Sequence, residues 1–198
     1  MRPFNSAQPW KVFSTGLLVT ALACAAVPAR QRGSGLLDAL RKDEAEKALF
    51  WLERGADANF AQMRRGEVFA RPVFYSIAHG NQEITERLIA AGANLESTGY
   101  QGMTPLMEAA RTGQTRIARL LLLRGAKIDA TDNLGRTAIS WAAIAGHEDC
   151  AALLIEKGAH DIKADDGRNA AGYAALLNRR RIFEMLRNQN NKEKQERK

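Results

Sequence analysis

The stretch that decides the fold runs from residue 102 to residue 126 and reads GMTPLMEAARTGQTRIARLLLLRGA. Residues 135 to 159 repeat its pattern 33 positions later as GRTAISWAAIAGHEDCAALLIEKGA. Both stretches end in a Gly-Ala pair, and earlier pairs stand at Gly55-Ala56 and Gly92-Ala93. A fixed period of about 33 residues is typical of a repeat array, in which each unit buries its apolar face only against its neighbours.

Each unit is predicted to contain two short helices and a turn. Thr104 is a favourable N-cap, and Pro105 stands at the first helical position, where its missing amide costs nothing. Gly113 ends the helix, because glycine adopts the left-handed backbone without strain. The leucines that follow have helical spacing and predict a second, antiparallel helix that ends at Gly125. Polar residues 127–136 predict an extended turn or hairpin that leads into the next unit.

Taken together, these motifs resemble the ankyrin repeat. Residues 102–113 match Gly-x-Thr-Pro-Leu-x-x-Ala-Ala-x-x-Gly, and residues 120–126 match Leu-Leu-Leu-x-x-Gly-Ala, almost letter by letter. The resemblance covers about residues 35–187 and implies an all-α solenoid of about five helix-turn-helix units, with projecting turns and a capping repeat at each end. More narrowly, the chain resembles a small exported ankyrin repeat protein of the bacterial type.

The repeat pattern also sets the predicted domain boundaries. A signal peptide or membrane anchor is expected over residues 1–29, the repeat domain over 30–187, and a disordered, polar and basic tail over 188–198. We expect the units at approximately residues 33–62, 63–98, 99–131, 132–164 and 165–187.

The chain departs from the family pattern after Thr-Pro-Leu. Where the family usually has His, this chain has Phe74, Met107, Ser140 and Gly172, so the hydrogen bonds that join the units are expected to be weaker.

One interval in the pattern is irregular. Gly55 and Gly92 are 37 residues apart, so the turn between residues 57 and 70 carries four extra residues. This enlarged turn contains Arg64, Arg65 and Phe69 and is expected to reach over the binding groove.

The charge of the array argues against a nucleic-acid partner. Residues 30–177 contain 19 Lys or Arg and 19 Asp or Glu, whereas residues 178–198 contain eight basic and three acidic side chains. A nucleic-acid-binding solenoid would line its long face with positive charge. The basic tail is expected to be solvated, and the alternative is a docking site for an acidic surface or acidic lipid.

The N-terminal segment predicts export. Residues 12–29 carry no charge, follow Lys11 and end in small residues that suit signal-peptide cleavage. We therefore expect a periplasmic or secreted protein. The alternatives are an uncleaved anchor, which would give membrane contact through this segment, a mitochondrial presequence, or lipid attachment at Cys24.

The sequence contains no pattern of an enzyme or a metal site. His79, His147 and His160 fall in separate units or turns, and no Cys or His pair has metal-ligand spacing. Asp165-Asp166 before Gly is ordinary turn chemistry. Cys150 is expected to be a buried apolar thiol. We therefore expect no catalytic activity, no cofactor and no metal.

The resemblance implies where a partner would bind. Ankyrin arrays usually engage another protein through turn tips and the exposed end of each first helix, which line a concave groove. Trp141 and Tyr173 are instead expected in the core between units, and the protein is expected to be a monomer. The predicted partner-binding residues are Tyr100, Gln101, Met103, Arg111, Thr112, Asn133, Leu134, Arg136 and Ile144, together with Arg64, Arg65 and Phe69 of the enlarged turn.

Overall fold

A computed structural model describes residues 27–64 and 67–196 and contains ten α-helices within those ranges. They confirm the predicted all-α solenoid. The helices are α1 (Ala29–Arg41), α2 (Ala45–Glu53), α3 (Pro72–Ala78), α4 (Gln82–Ala90), α5 (Pro105–Thr112), α6 (Thr115–Leu123), α7 (Ala138–Ala145), α8 (Glu148–Glu156), α9 (Ala170–Leu176) and α10 (Arg180–Glu196), with a short 3₁₀ turn at Tyr100–Gly102.

The helices form five consecutive pairs that stack side by side. The first helices α3, α5, α7 and α9 pack in one row, and the second helices α4, α6, α8 and α10 pack in another behind it. Alanines allow this close approach, since Ala109, Ala110, Ala142 and Ala143 are all fully buried. The buried apolar residues form two clusters, one over the first pair and α4 and one from α3 to α10, as expected when each unit buries its apolar face on the next.

The predicted helix ends are present. The Thr104 hydroxyl accepts a hydrogen bond from the Met107 amide at 3.4 Å, and the Asn169 side chain accepts one from the Gly172 amide at 2.9 Å. Gly113 closes α5 in the left-handed conformation at φ +74°. Local capping chemistry thus fixes where these short helices begin and end.

Hydrogen bonds between units come from the loops that follow the second helix of each pair, rather than from the family's usual histidine. The Asn59 side chain accepts a hydrogen bond from the Asn94 amide at 2.7 Å, and the Asp129 carboxylate accepts one from the His160 amide at 2.9 Å. In addition, His147 Nε2 lies 3.1 Å from the Arg111 carbonyl oxygen. Side chains about one repeat apart therefore link neighbouring units at several levels of the stack.

The enlarged turn forms an antiparallel β-hairpin, which adds a small sheet to the helical array. Strand β1 (Gln62–Arg64) pairs with β2 (Glu67–Ala70), with Met63 opposite Val68 and a bulge next to Gln62. The four extra residues supply the length that two paired strands need. The backbones of Arg64 and Phe69 lie in these strands, whereas Arg65 falls outside the described residues.

The prediction of a disordered tail from residue 188 was wrong for the residues that the structure describes. Helix α10 continues to Glu196. The Gln189 side chain donates a hydrogen bond to the Ala159 carbonyl at 2.9 Å, and the Asn190 side chain donates one to the Asp161 carboxylate at 3.1 Å. These bonds to the preceding unit, in a segment rich in good helix formers, hold the extra turns in place.

The predicted signal or anchor segment lies almost entirely outside the described residues, and so does Cys24; α1 begins at Ala29. None of the helices within residues 27–64 and 67–196 combines the length and the hydrophobicity needed to cross a bilayer.

Candidate functional site

A groove of about 450 Å³ runs along the concave side of the middle units. The first helices α3, α5 and α7 form its floor, and the turn before α5 forms one wall. Aromatic and arginine side chains dominate its lining, which consists of Arg71, Phe74, Tyr75, Ala78, Gly99, Tyr100, Gln101, Met103, Glu108, Arg111 and Trp141. A concave, largely apolar space with a few polar groups has the character of a binding site.

The turn tips beside the groove are hydrogen-bonded to one another. The Asn133 amide donates to the Gln101 carbonyl at 3.0 Å, and the Asp165 amide donates to the Leu134 carbonyl at the same distance. Gln101 holds a left-handed backbone at φ +57°, which lets its carbonyl meet the next turn. The tips therefore form a continuous edge along the groove, with the Tyr100 side chain 78% exposed on it.

A buried carboxylate organises the third turn. One Asp132 oxygen accepts hydrogen bonds from the Leu134 and Arg136 amides, both at 2.9 Å. The other oxygen accepts from Arg136 Nε at 2.9 Å and from Trp141 Nε1 at 3.1 Å. Because the Asp132 side chain is fully buried, these four donors together compensate for its loss of hydration.

The guanidinium of Arg136 lies over the Trp141 ring, with its carbon 4.1 Å from the ring centroid. It also donates to the Gln101 side-chain oxygen at 3.2 Å, which joins this turn to the preceding unit. Contact between a cation and the face of an indole is favourable, and here Asp132 holds both partners. The arrangement fixes an aromatic plane and a positive charge at the groove before any partner arrives.

A second ion pair crosses the groove floor on α5. Arg111 donates two hydrogen bonds to Glu108, from Nε at 2.9 Å and from Nη2 at 2.7 Å. This paired geometry raises the pKa of Arg111, chiefly through the hydrogen bond with Glu108 and against the effect of burial, so the guanidinium stays charged.

A sequence-family comparison identifies the architecture. The model of ankyrin repeats in three copies matches residues 36–132 and 120–197, which together span most of the chain. The chain belongs to the ankyrin repeat family. Ankyrin repeats generally mediate protein–protein interactions. No curated protein matches this sequence.

Four of the predicted residues, Tyr100, Gln101, Met103 and Arg111, line the groove, and the exposure of the predicted residues differs. Tyr100, Gln101, Arg111, Asn133 and Leu134 are exposed, whereas Thr112, Arg136 and Ile144 are half-buried, and Ile144 packs on the core. Of the enlarged turn, only the backbones of Arg64 and Phe69 are described, and Arg65 is not.

Met103 is a correction, because the sequence predicted it as an exposed apolar residue. Its side chain is only 5% exposed and belongs to the main core cluster, although it also forms part of the groove floor. Its counterpart one repeat later is Arg136, whose charged end is bound by the Asp132 carboxylate. An apolar side chain at the same position gains by packing inward.

Trp141 was expected in the core between units, and it packs against the main core cluster. It is nevertheless only half-buried and also lines the groove, together with Tyr75 and Glu108. These three residues are spaced by 33, so they occupy one position in successive ankyrin units. Applying the repeat period to the exposed face of α5 would have identified them from the sequence.

Two further expectations concern core residues, and both are confirmed. Tyr173 is buried, and Cys150 is a fully buried free thiol. The Cys150 sulfur lies 3.1 Å from the Thr115 hydroxyl, and burial raises the pKa of the thiol. Within the described ankyrin units, no cluster of three or more His, Cys, Asp or Glu could hold a metal ion.

Proposed function

We propose that the chain is a non-catalytic interaction module that binds a partner protein in the concave groove. The observation that carries this proposal is the organised surface at the third and fourth units, where Asp132 positions Arg136 over Trp141 beside the exposed Tyr100. Tyr, Trp and Arg are the residue types enriched at the energetic centres of protein interfaces.

The exposure of Tyr100 supports a role in binding rather than in folding. A tyrosine that is 78% exposed contributes little buried area to the array, yet it stands next to other aromatic side chains at the groove. Aromatic rings that share one concave surface would lose their hydration together when a partner binds, and this provides the driving force for association.

The proposal includes export, through the uncharged N-terminal segment, and action as a monomer outside the cytoplasm. The segment's composition supports export, with membrane anchoring as the alternative. In either case the repeat array is the part that meets the partner, and the N-terminal segment determines only where that meeting takes place.

The test is in-cell crosslinking followed by mass spectrometry, comparing the wild type with Tyr100→Ala and Arg111→Ala. The matched controls are Leu123→Ala, which removes a 72% exposed leucine from α6, and Arg116→Ala, which removes an exposed arginine from the same helix. We expect a partner that is lost with the two groove variants and retained with both controls. Equal recovery with all four variants would refute the groove assignment.

A second candidate function is a membrane-tethered accessory protein that uses its basic C-terminal end. Arg180, Arg181 and Arg187 are exposed on α10, as are Lys192 and Lys194. Clustered basic side chains near a surface gain roughly 1 kcal/mol each from anionic lipid.

Sedimentation with vesicles of anionic phospholipid tests this second function. The variant replaces Lys192, Lys194, Arg197 and Lys198 with Gln, and so leaves the capping contacts of Gln189 and Asn190 in place. Release of the variant from vesicles that retain the wild type would support lipid contact, and equal sedimentation would refute contact through these four positions.

A further inference from the structure

The ion pairs at the groove are arranged with their carboxylates inward. The Glu108 side chain is 11% exposed against 43% for its partner Arg111, and the Asp132 side chain is 0% exposed against 14% for Arg136. In both pairs the arginine therefore lies nearer to solvent than the carboxylate. A partner approaching the groove meets the Arg111 guanidinium first, because Arg111 lines the groove and Arg136 does not, although the repeat array as a whole is neutral.

A third arginine stands at the other end of the groove. Arg71 donates from Nη1 to the Asn59 carbonyl at 3.2 Å, and no carboxylate pairs with it among the described residues. The Arg71 Nε atom is buried, and none of the described residues accepts a hydrogen bond from it. Within the described part of the chain, Arg71 therefore has only a neutral carbonyl as its acceptor, which leaves its charge available to an incoming carboxylate.

Aromatic rings lie between these arginines. Phe74 and Tyr75 come from α3, Tyr100 from the turn, and Trp141 from α7. Gly99 brings the turn directly against Phe74, since a Cβ at Gly99 would lie 3.0 Å from that ring. The groove thus combines aromatic rings with the guanidinium groups of Arg71 and Arg111.

The size of the groove limits what can enter it. A volume of about 450 Å³ accommodates a few side chains of a segment, which is the lower part of the range of small-ligand pockets. A nucleic acid would need positive charge along its whole path, and the equal numbers of acidic and basic residues over 30–177 do not provide it. A short stretch of polypeptide with acidic side chains fits both the size and the local charge.

Building on the proposed function, we infer that the partner presents an extended segment in which a large apolar or aromatic side chain is flanked by acidic residues. The apolar side chain lies among Tyr75, Tyr100 and Trp141. Its acidic neighbours bind the guanidinium groups of Arg71 and Arg111, which line the groove. Because these charge pairs form near the surface, affinity decreases as the salt concentration rises.

The test is selection of peptides from a random dodecapeptide display library against the full chain, followed by affinity measurement with synthetic copies. We expect enriched peptides to combine an aromatic or large aliphatic residue with nearby Asp or Glu. Replacing one such acidic residue by its amide is expected to weaken binding by about fivefold, the upper range for a partly exposed ion pair.

Three variants assign the effect to the groove arginines. Arg71→Gln removes the unpaired arginine. The double variant Glu108→Gln with Arg111→Gln removes both charges of the α5 pair. It is used because Arg111→Gln alone would leave the Glu108 carboxylate buried and unpaired, which could prevent folding. Arg116→Gln on α6 is the control. We expect both groove variants to weaken binding of acidic peptides and to reduce its salt dependence, with no effect of the control.

The outcomes separate this inference from the proposed function. Enriched peptides without acidic residues that still lose binding with Tyr100→Ala would refute the inference and leave the groove function intact. Stronger competition by an oligo-dT probe than by acidic peptides would refute the inference and favour a nucleic-acid partner. Recovery of no peptide at all would also refute the inference. Bound peptides that are insensitive to every groove variant would contradict the groove function itself.

Discussion

Replacing Asp132 by Ala is expected to destabilise the array more than any exposed acidic substitution. The carboxylate accepts four hydrogen bonds at 2.9 to 3.1 Å while its side chain is fully buried. Losing the bonds to two backbone amides costs about 1 kcal/mol each, and losing the charged bond to Arg136 costs about 1.5 kcal/mol more. With the Trp141 bond included, we expect a loss of about 4 kcal/mol.

Urea denaturation followed by circular dichroism measures this loss directly. Asp132→Asn should lose about half as much, because the amide keeps one acceptor oxygen for the backbone while its NH₂ group faces the donors of Arg136 and Trp141. Asp166→Ala is the control, since its carboxylate is 41% exposed and bonds to Arg168 and to the Tyr173 side chain, and it should change stability far less than Asp132→Ala. A loss in Asp132→Ala no larger than in this control would refute the reasoning.

Three further predictions concern the repeat scaffold. Gly113→Ala should lower the free energy of unfolding by about 1 to 2 kcal/mol, because φ is +74° and the new Cβ would lie 2.7 Å from His147 Nδ1. In thermal melts, adding His147→Ala should recover only the part of this loss that comes from the steric contact. Leu121→Ala should cost about 2 to 5 kcal/mol in urea denaturation, since this leucine is fully buried, and a smaller loss would contradict its place in the core. In a Cys24→Ser background, Cys150 should react with a thiol reagent at least about 100-fold more slowly than in the unfolded chain, and equal rates would contradict its burial.

The raised pKa of the Cys150 thiol also gives a pH dependence. The folded chain holds the thiol proton more tightly than the unfolded chain does, because burial disfavours the thiolate. The corresponding stability is complete below the unfolded pKa of about 8.5 and is lost as the pH rises through the folded value. Unfolding free energies measured on both sides of that pH should therefore fall more steeply in the wild type than in Cys150→Ala.

The sequence predicted the scaffold well because local chemistry determines it. Thr104, Asn169 and Gly113 act through neighbours within a few residues, so capping rules place the helix ends without any tertiary information. The 33-residue period then carries these features from unit to unit, and stacking follows because no unit buries its apolar face alone.

The groove was harder to predict because the rules for turns and helices do not say which side chains meet once these elements pack. Asp132 appears in the sequence as one polar turn residue among several, and the approach of Trp141 from the first helix of the same unit completes its set of hydrogen bonds. Met103 and Trp141 each contact both the core and the groove, whereas the sequence assigned each of them to one place. Likewise, the continuation of α10 depends on Gln189 reaching the Ala159 carbonyl, 30 residues earlier in the chain.

A photoreactive amino acid placed at a single position tests the central claim most directly. At position 100 the photoreactive residue stands on the rim of the groove, and at position 123 it stands on α6. Position 123 is a matched control, because the native side chains at the two positions are similarly exposed, at 78% and 72%. The concave groove as the binding surface predicts a covalent adduct with a partner protein from position 100 and none from position 123. An adduct from position 123 alone, or equal adducts from both, would contradict it.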